Sequence, residues 1–292
     1  MPLINQKILM SDANNFSNDK PINPYYHLES IDLDKARQEH SNLIDLLSKS
    51  GVEVTVVPSP LNCQDGVYTA NWALARGNKA VLARLPNARQ KEESYAEKIL
   101  TDLGKEVVKL PDGLKFSGQG DALACGNLLF CGKGYRSDEK AQKIAAELLD
   151  YKRIQLQTKP KRNLFGRPVI NSSSGWPDSF FYDLDLALAI IKAPDENGQK
   201  GLIAYCPEAF TSKSRNFLEN FDDVDKIKVS IDEAKNGFAT NLISTGETVI
   251  MSAHAPNLAN ELMKHGLKVV NPDITELAKG GGYIRCMTLT IS

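Results

Sequence analysis

GDALACGNLLFCGKGYRSDEKAQKIAAELLD, residues 120–150, reads as an apolar strand, a Gly-bearing turn, a second apolar strand, a polar loop and an Ala/Leu-rich helix. Residues 240–270, TNLISTGETVIMSAHAPNLANELMKHGLKVV, repeat that order and add a closing strand. With closing strands included, the clearest copies run from Ala70 to Leu110, Gly120 to Gln157, Asp185 to Ser230 and Asn241 to Val270. A shortened copy opens the chain, with a strand at Ile8–Met10, a helix over Asp34–Lys49 and, after Gly51, a strand at Val52–Val57. Its absent first strand is expected from the stretch Tyr283–Ile291. Units that cannot bury an apolar face alone must stack or close, and five joined head to tail predict a closed ring. The expected fold is α+β: a five-bladed α/β propeller of ββαβ repeats, closed by the C-terminal strand, with residues 1–292 as a single domain.

Repetition superimposes residues that lie far apart in sequence. Asn71, Asp121, Asp185 and Asn241 each stand just before or at the first strand of their unit, and Cys286 stands at the matching point of the closing strand. Equivalent points of a ring surround its axis. One thiol and several polar side chains are therefore expected to face a common central pocket.

Composition narrows the function classes. An apolar content of 42% over 292 residues is enough for a large core. With 35 basic against 36 acidic residues, charge gives no argument for nucleic acid or an anionic membrane as partner. The longest apolar run, Leu184–Ala193, is interrupted by Asp185 and Lys192 and is too short to span a bilayer. MPLINQKILM lacks the apolar core of a secretion signal, and five cysteines without scaffold spacing fit a reducing compartment, so the cytoplasm is expected. Cys125 and Cys131 flank a hairpin turn, which leaves open a redox pair or simple packing. No phosphate-binding glycine motif precedes a helix, and the four histidines have no metal-ligand spacing, so neither cofactor nor metal is expected. A homo-oligomer is left open.

Cys286 lies in GGGYIRCMTLTI, where three glycines free the backbone to approach a ligand before a strand begins. A thiol attacks as thiolate and needs positive charge or donors nearby. Adjacent Arg285 is a poor candidate, because successive strand side chains face opposite ways; a bound cationic substrate supplies the charge instead. Taken singly, Cys286 reads equally as a small buried hydrophobe, and Asp121 and Asp185 as turn and cap residues. Taken together, two carboxylates beside a thiol match a guanidinium, which is planar, always charged and suited to bidentate acceptance. Such a grip holds the guanidine carbon next to sulfur.

The segments GDALACGNLLFCGKGYRSD, FYDLDLALAII, AYCPEAF and LAKGGGYIRCMT, with INPYY and QDGVYTAN, carry a resemblance over nearly the whole chain. It resembles the arginine deiminase, amidinotransferase and dimethylarginine dimethylaminohydrolase superfamily, the five-bladed "pentein" propellers. The resemblance implies that Cys286 is the nucleophile and that Asp121, of the Gly-Asp motif, and Asp185, of the His-x-Asp motif, grip the substrate. Asp65, Asn71, Arg136 and Asn241 are candidates for the pocket rim, with Arg136 a partner for a substrate carboxylate.

Three departures accompany the likeness. Asp183 stands where such enzymes carry the general acid/base histidine; an ordinary carboxyl, with a pKa of ~3.9, is ionised at neutral pH and is a poor acid. Crowding against Asp121 and Asp185 makes the three acids a coupled set. Ser117 replaces a Glu common before the Gly-x-Gly-Asp turn, and Thr158–Asp178 is a longer, basic connection that reads as a lid, a partner surface or a solvated insertion. The leading reading is an enzyme of arginine metabolism that acts on arginine or a derivative through a covalent amidino-thiol intermediate at Cys286, with Asp183 in the catalytic set. Water as the acceptor makes it a hydrolase, and an amine makes it an amidinotransferase. The alternative is a catalytically silent protein that binds guanidino ligands. A cysteine hydrolase of peptides or esters would want a histidine beside the thiol, and His254 is the nearest candidate.

Overall fold

A computed structural model describes residues 3–20, 26–27, 29–85, 89–170 and 177–292. The elements follow in the order β1 (Lys7–Ser11), α1 (Leu33–Lys49), β2 (Glu53–Val57), β3 (Ala73–Arg76), β4 (Lys79–Leu82), α2 (Gln90–Asp102), β5 (Glu106–Val108), β6 (Ala122–Cys125) and β7 (Leu128–Lys133). They continue with α3 (Glu139–Leu148), β8 (Lys152–Gln157), β9 (Leu188–Lys192), β10 (Gly201–Tyr205), α4 (Ser212–Glu219), β11 (Val224–Lys228) and α5 (Ile231–Asn236). The last are β12 (Ile243–Ser244), β13 (Thr248–Ile250), α6 (Pro256–Lys264), β14 (Lys268–Val270) and β15 (Leu289–Thr290).

The strands form five three-stranded sheets, β3-β4-β5, β6-β7-β8, β9-β10-β11, β12-β13-β14 and β15-β1-β2. In each, the middle strand is antiparallel to the first and parallel to the third. Tight hairpins make the antiparallel pairs β3–β4, β6–β7 and β12–β13, a longer loop joins β9 to β10, and a helix supplies the crossover that each parallel pair requires. The fifth sheet takes its first strand from the far end of the chain, with Ile8 opposite Thr290 and Leu9 opposite Leu289. First strands are neighbours: β15 lies beside β3, β6 beside β9, and β9 beside β12.

Helical periodicity decides which residues reach the core. On α1 the buried positions Ala36, His40, Leu43 and Leu47 recur at three- and four-residue spacing, and Asp32 caps the helix by accepting from the Lys35 N–H. Each fully buried Leu contributes roughly 1.5–3 kcal/mol. Glu39 is buried on the same helix because its carboxylate accepts the backbone N–H groups of Thr275, Glu276 and Leu277, which fixes the approach to the three glycines. Helix α5 lies outside the repeat; its Glu233 accepts from the N–H groups of Asn257 and Leu258 and caps α6.

Cys125 and Cys131 do not oppose each other: Cys131 pairs with Ala122 and Cys125 with Leu128, and both thiols are buried. Packing is their role. The connection after Thr158 is tied back by bridges Arg162–Pro168 and Ile170–Pro177 and exposes Leu164 and Phe165; its residues 171–176, like residues 22–25 of INPYY, lie outside the described residues. No helix among the described residues is long and apolar enough to cross a membrane.

Candidate active site

Short turns just ahead of the first strands bring the predicted residues together. Asn71 ends a 3-10 turn before β3, Asp121 follows one before β6, Asp185 sits inside one before β9, and Asn241 and Cys286 occupy turns before β12 and β15. All five are buried. Asp185, Asn241 and Cys286 touch one another, while Asn71 and Asp121 bond to the residues beside them.

Asn241 holds the cysteine at two points: its Nδ2 donates to Cys286 Sγ at 3.2 Å, and the Cys286 N–H donates to its Oδ1 at 3.2 Å. The thiol donates in turn to Asp185 Oδ2 at 3.5 Å. Asp185 Oδ1 has no partner among the described residues, although the side chain is fully buried. Burial, reinforced by neighbouring Asp183, pushes the Asp185 carboxyl up to about 8. Burial and the Asp185 charge likewise hold the Cys286 thiol well above its ordinary value. Without a ligand this is a thiol, not a thiolate. A cation arriving at the free oxygen of Asp185 would reverse both effects.

The other two acids are engaged within the protein. Asp121 accepts from Ser137 Oγ at 2.7 Å and from the Leu184 N–H at 3.0 Å, so it orients the turn that carries Asp183 and Asp185; burial and then Asp183 raise its pKa well above the usual range. Asp183 accepts from Ser117 Oγ at 3.1 Å on one oxygen, and from Asn71 Nδ2 at 3.1 Å and Arg136 Nη1 at 3.2 Å on the other. Ser117 and Asp183, both singled out in the sequence, therefore meet in one hydrogen bond. Gly120 makes room for this cluster: a Cβ there would lie 2.5 Å from Asn71 Nδ2 and 2.9 Å from Asp183 Oδ2.

Arg136 is placed on Asp183, with its guanidinium 4.1 Å from the centroid of the Tyr182 ring. Asp65 is buried beside Tyr26, whose hydroxyl donates to it, and burial raises its pKa to about 6 against the pull of Arg89. Arg89 escaped sequence reasoning. It joins Asn71 Oδ1 at 2.7 Å to Glu92 at 2.9 and 2.8 Å, and Glu92 also accepts from Trp72 Nε1 at 3.0 Å. An Arg–Glu pair at i,i+3 near a helix start looks like a solvated surface pair, so composition gave no signal.

The glycines before Cys286 serve a different contact from the one expected. A Cβ at Gly280 would lie 2.3 Å from Tyr68 Oη, and one at Gly282 would lie 2.6 Å from Tyr68 Cε1, while Gly281 has φ 80°. They press the backbone onto an aromatic ring of the protein. Arg285 turns to Thr288 and Gln119 rather than to the thiol, and His254 is exposed. Among the described residues no cluster of His, Cys, Asp or Glu is arranged to hold a metal.

Comparison with known proteins places this geometry. The profile described as "N,N dimethylarginine dimethylhydrolase, eukaryotic" matches residues 7–174. The dimethylarginine dimethylaminohydrolase of Mycobacterium tuberculosis is 30% identical over 273 residues, covering 92% of this chain and 80% of its own. The chain belongs to the dimethylarginine dimethylaminohydrolase family. Within the wider superfamily it is also similar to the bifunctional arginine dihydrolase/ornithine cyclodeaminase AgrE of Nostoc, at 29% identity over 98% of this chain; the chain spans only 38% of that protein's length. Crystal structures of the N-terminal domain of the cyanobacterial arginine dihydrolase ArgZ, one bound to product and one covalently bound to a reaction intermediate, align with TM-score 0.84 and 27% identity over 98% of this chain and 97% of theirs. The members of the family and superfamily named here are hydrolases of arginine or its derivatives, and this chain shares their α+β fold.

Proposed function

We propose that this chain hydrolyses a guanidino C–N bond of arginine or a methylated arginine through a covalent intermediate on Cys286. The observation that carries the reading is the buried Asp185 carboxylate, with one oxygen against the thiol and the other without a partner among the described residues. A substrate guanidinium can donate an N–H to that free oxygen and supplies the charge that the site lacks. Relatives that act on arginine compounds, including one crystallised with a covalently bound intermediate, support it.

Asp185 is also proposed to move the proton. The bound guanidinium holds it as carboxylate. As sulfur attacks the guanidine carbon, the substrate's positive charge disappears, the basicity of Asp185 climbs back, and it takes the thiol proton. The neutral tetrahedral adduct then receives that proton on the leaving nitrogen. Amine departs, leaving a cationic S-amidino group opposite a restored carboxylate. Water enters with the same carboxylate as base, and thiol and urea product separate. Asn241 positions the sulfur, Asp121 orients the turn of Asp185, and Asp183 with Asn71, Arg136 and Asp65 forms a charged wall. The neighbouring first strands support a single domain in which the five sheets close as a propeller around this site. The absence of scaffold disulfides among five buried free cysteines supports a cytoplasmic setting.

Intact-mass analysis after incubation with arginine or dimethylarginine tests the proposal. Both are expected to leave the same adduct, substrate minus amine, which is lost in Cys286→Ser; release of a urea product identifies water as acceptor, whereas product carrying an added amine identifies transfer. Absence of adduct and turnover sinks the catalytic reading. One observation favours a second reading, a silent guanidino-binding protein: both oxygens of Asp183 are tied up, so nothing stands freely in the histidine's place. That reading predicts calorimetric binding of arginine without adduct, and a gain of ammonia release in Asp183→His.

A further inference from the structure

A cavity of about 230 Å3 draws on the first strand, or the residue just before it, of all five sheets, through Ala75, Ala124, Ile190, Leu242 and Thr290. None of the groups around the thiol lines it. Instead it is lined by their chain neighbours: Gln119 two residues before Asp121, Thr240 before Asn241, and Arg285 before Cys286. Leu3 and Ala124 are exposed at its rim, so the cavity reaches solvent.

Two features of this cavity ask for a ligand. Arg285 is only 8% exposed, and its hydrogen-bond acceptors among the described residues are neutral: Thr288 O at 2.6 Å, Thr288 Oγ1 at 3.3 Å and Gln119 Oε1 at 2.8 Å. A buried guanidinium without a paired carboxylate is expensive, and burial lowers its pKa even with Asp185 and Cys286 acting against that from the thiol side. Three donated bonds leave further guanidinium N–H groups without an acceptor among the described residues. Independently, Thr240 is 1% exposed and borders the same cavity, and its buried Oγ1 has no partner among the described residues. A cation and a lone hydroxyl thus share a space whose remaining lining combines alanine, leucine and isoleucine with Asn5, Tyr151, Thr290 and Ser292.

We propose that this cavity is a second binding site, separate from the thiol, for a small monocarboxylate with a short aliphatic tail. The carboxylate pairs with Arg285 and accepts from Thr240, and the tail lies along Ala75, Ala124, Ile190 and Leu242. An inorganic anion would satisfy the cation and leave the apolar walls wet. A cationic or neutral amphiphile would leave Arg285 unpaired.

Calorimetry and protein-detected NMR with sodium butyrate, sodium formate and butylammonium chloride at matched ionic strength test the assignment. They are run on the native chain and on Cys286→Ser, so the outcome does not depend on the proposed reaction. Butyrate is expected to saturate on both proteins, to bind more tightly than formate, and to leave butylammonium without effect. Arg285→Gln is expected to weaken butyrate about 10- to 100-fold, the range for a charge-assisted bond. Because Arg285 also holds Thr288 and Gln119, Thr240→Val provides a variant that removes a hydroxyl without a partner among the described residues; it is expected to fold as the native chain and to weaken butyrate about two- to tenfold. Absence of saturation, equal binding of formate and butyrate, indifference to both substitutions, or displacement of butyrate by arginine would each overturn the proposal.

Discussion

Asp185 turns one oxygen to the Cys286 thiol while the other has no partner among the described residues, and this single residue links the site's chemistry to the molecule's stability. Its pKa is raised from 3.8 to about 8 by burial first and Asp183 second. The folded state therefore binds a proton that the unfolded state has released between about pH 4 and pH 8. Stability should be greatest below that window and fall as pH rises through it, and Asp185→Asn should flatten the decline in urea titrations. A decline of equal slope in the variant would show that another group titrates. Activity should run the opposite way: kcat/KM needs the free carboxylate and should rise towards a plateau above about pH 8. Asp185→Asn should lower kcat by about 100- to 10,000-fold, the loss expected for a proton carrier, while Asp183→Asn, which keeps its neighbours' hydrogen bonds in part, should lose about tenfold. Equal losses would return the proton to Asp183. The contact of Cys286 with Asp185 and Asn241 was foreshadowed because equivalent positions in a repeat converge, whereas Asp121, expected beside the thiol, bonds to Ser137 and the Leu184 N–H instead. The Ser117–Asp183 bond was not foreshadowed, since nothing in the sequence pairs two residues 66 positions apart that belong to no common repeat position.

At the scale of elements, the segment from Thr275 to Cys286 is fixed at both ends. Glu39 of α1 gathers three consecutive backbone N–H groups at its start, and Asn241 holds the cysteine at its close. Between them, Gly280 and Gly282 lie flat on Tyr68, whose hydroxyl donates to Leu277 O at 2.6 Å. Gly282→Ala puts a methyl 2.6 Å from the Tyr68 ring and 3.0 Å from Cys286 Cβ, so the ring or the sulfur must shift. The expected cost is about 1–3 kcal/mol in urea unfolding, with adduct formation slowed more than substrate binding because the sulfur moves. Tyr68→Ala should relieve the clash, so that Gly282→Ala costs less in its presence; additive effects would show that the two do not touch. A run of glycines advertises close approach. It does not say what approaches, and the partner ring lies more than two hundred residues away.

Taken whole, the molecule was largely readable because its repeats are written in turn residues and apolar strands: four copies and the helix of the fifth appear near their expected places. Helix α5 was missed, for it has no counterpart in the other units and its purpose, capping α6 through Glu233, appears only in three dimensions. The decisive long-range feature is the sheet made from both ends of the chain. Leu289 is fully buried opposite Leu9, the Ile291 N–H donates to Lys7 O at 2.9 Å, and Gln119 exchanges bonds with Thr290 at 2.8 and 2.9 Å. Deleting residues 289–292 should remove that sheet's first strand and also loosen Gln119, lowering stability by more than about 3 kcal/mol through the lost Leu289 and hydrogen bonds alone. Connectivity itself should matter little, because Leu3 and Ser292 border one cavity. A circular permutant that joins Ser292 to Leu3 through a short Gly/Ser linker and opens in the exposed hairpin loop at Glu196–Gly198 should unfold in a single transition near the native midpoint and keep the same reactivity at Cys286. If the deletion melts like the native chain while the permutant fails to fold, the strand pairing between the two ends is incidental and the five units hold together by some other contact.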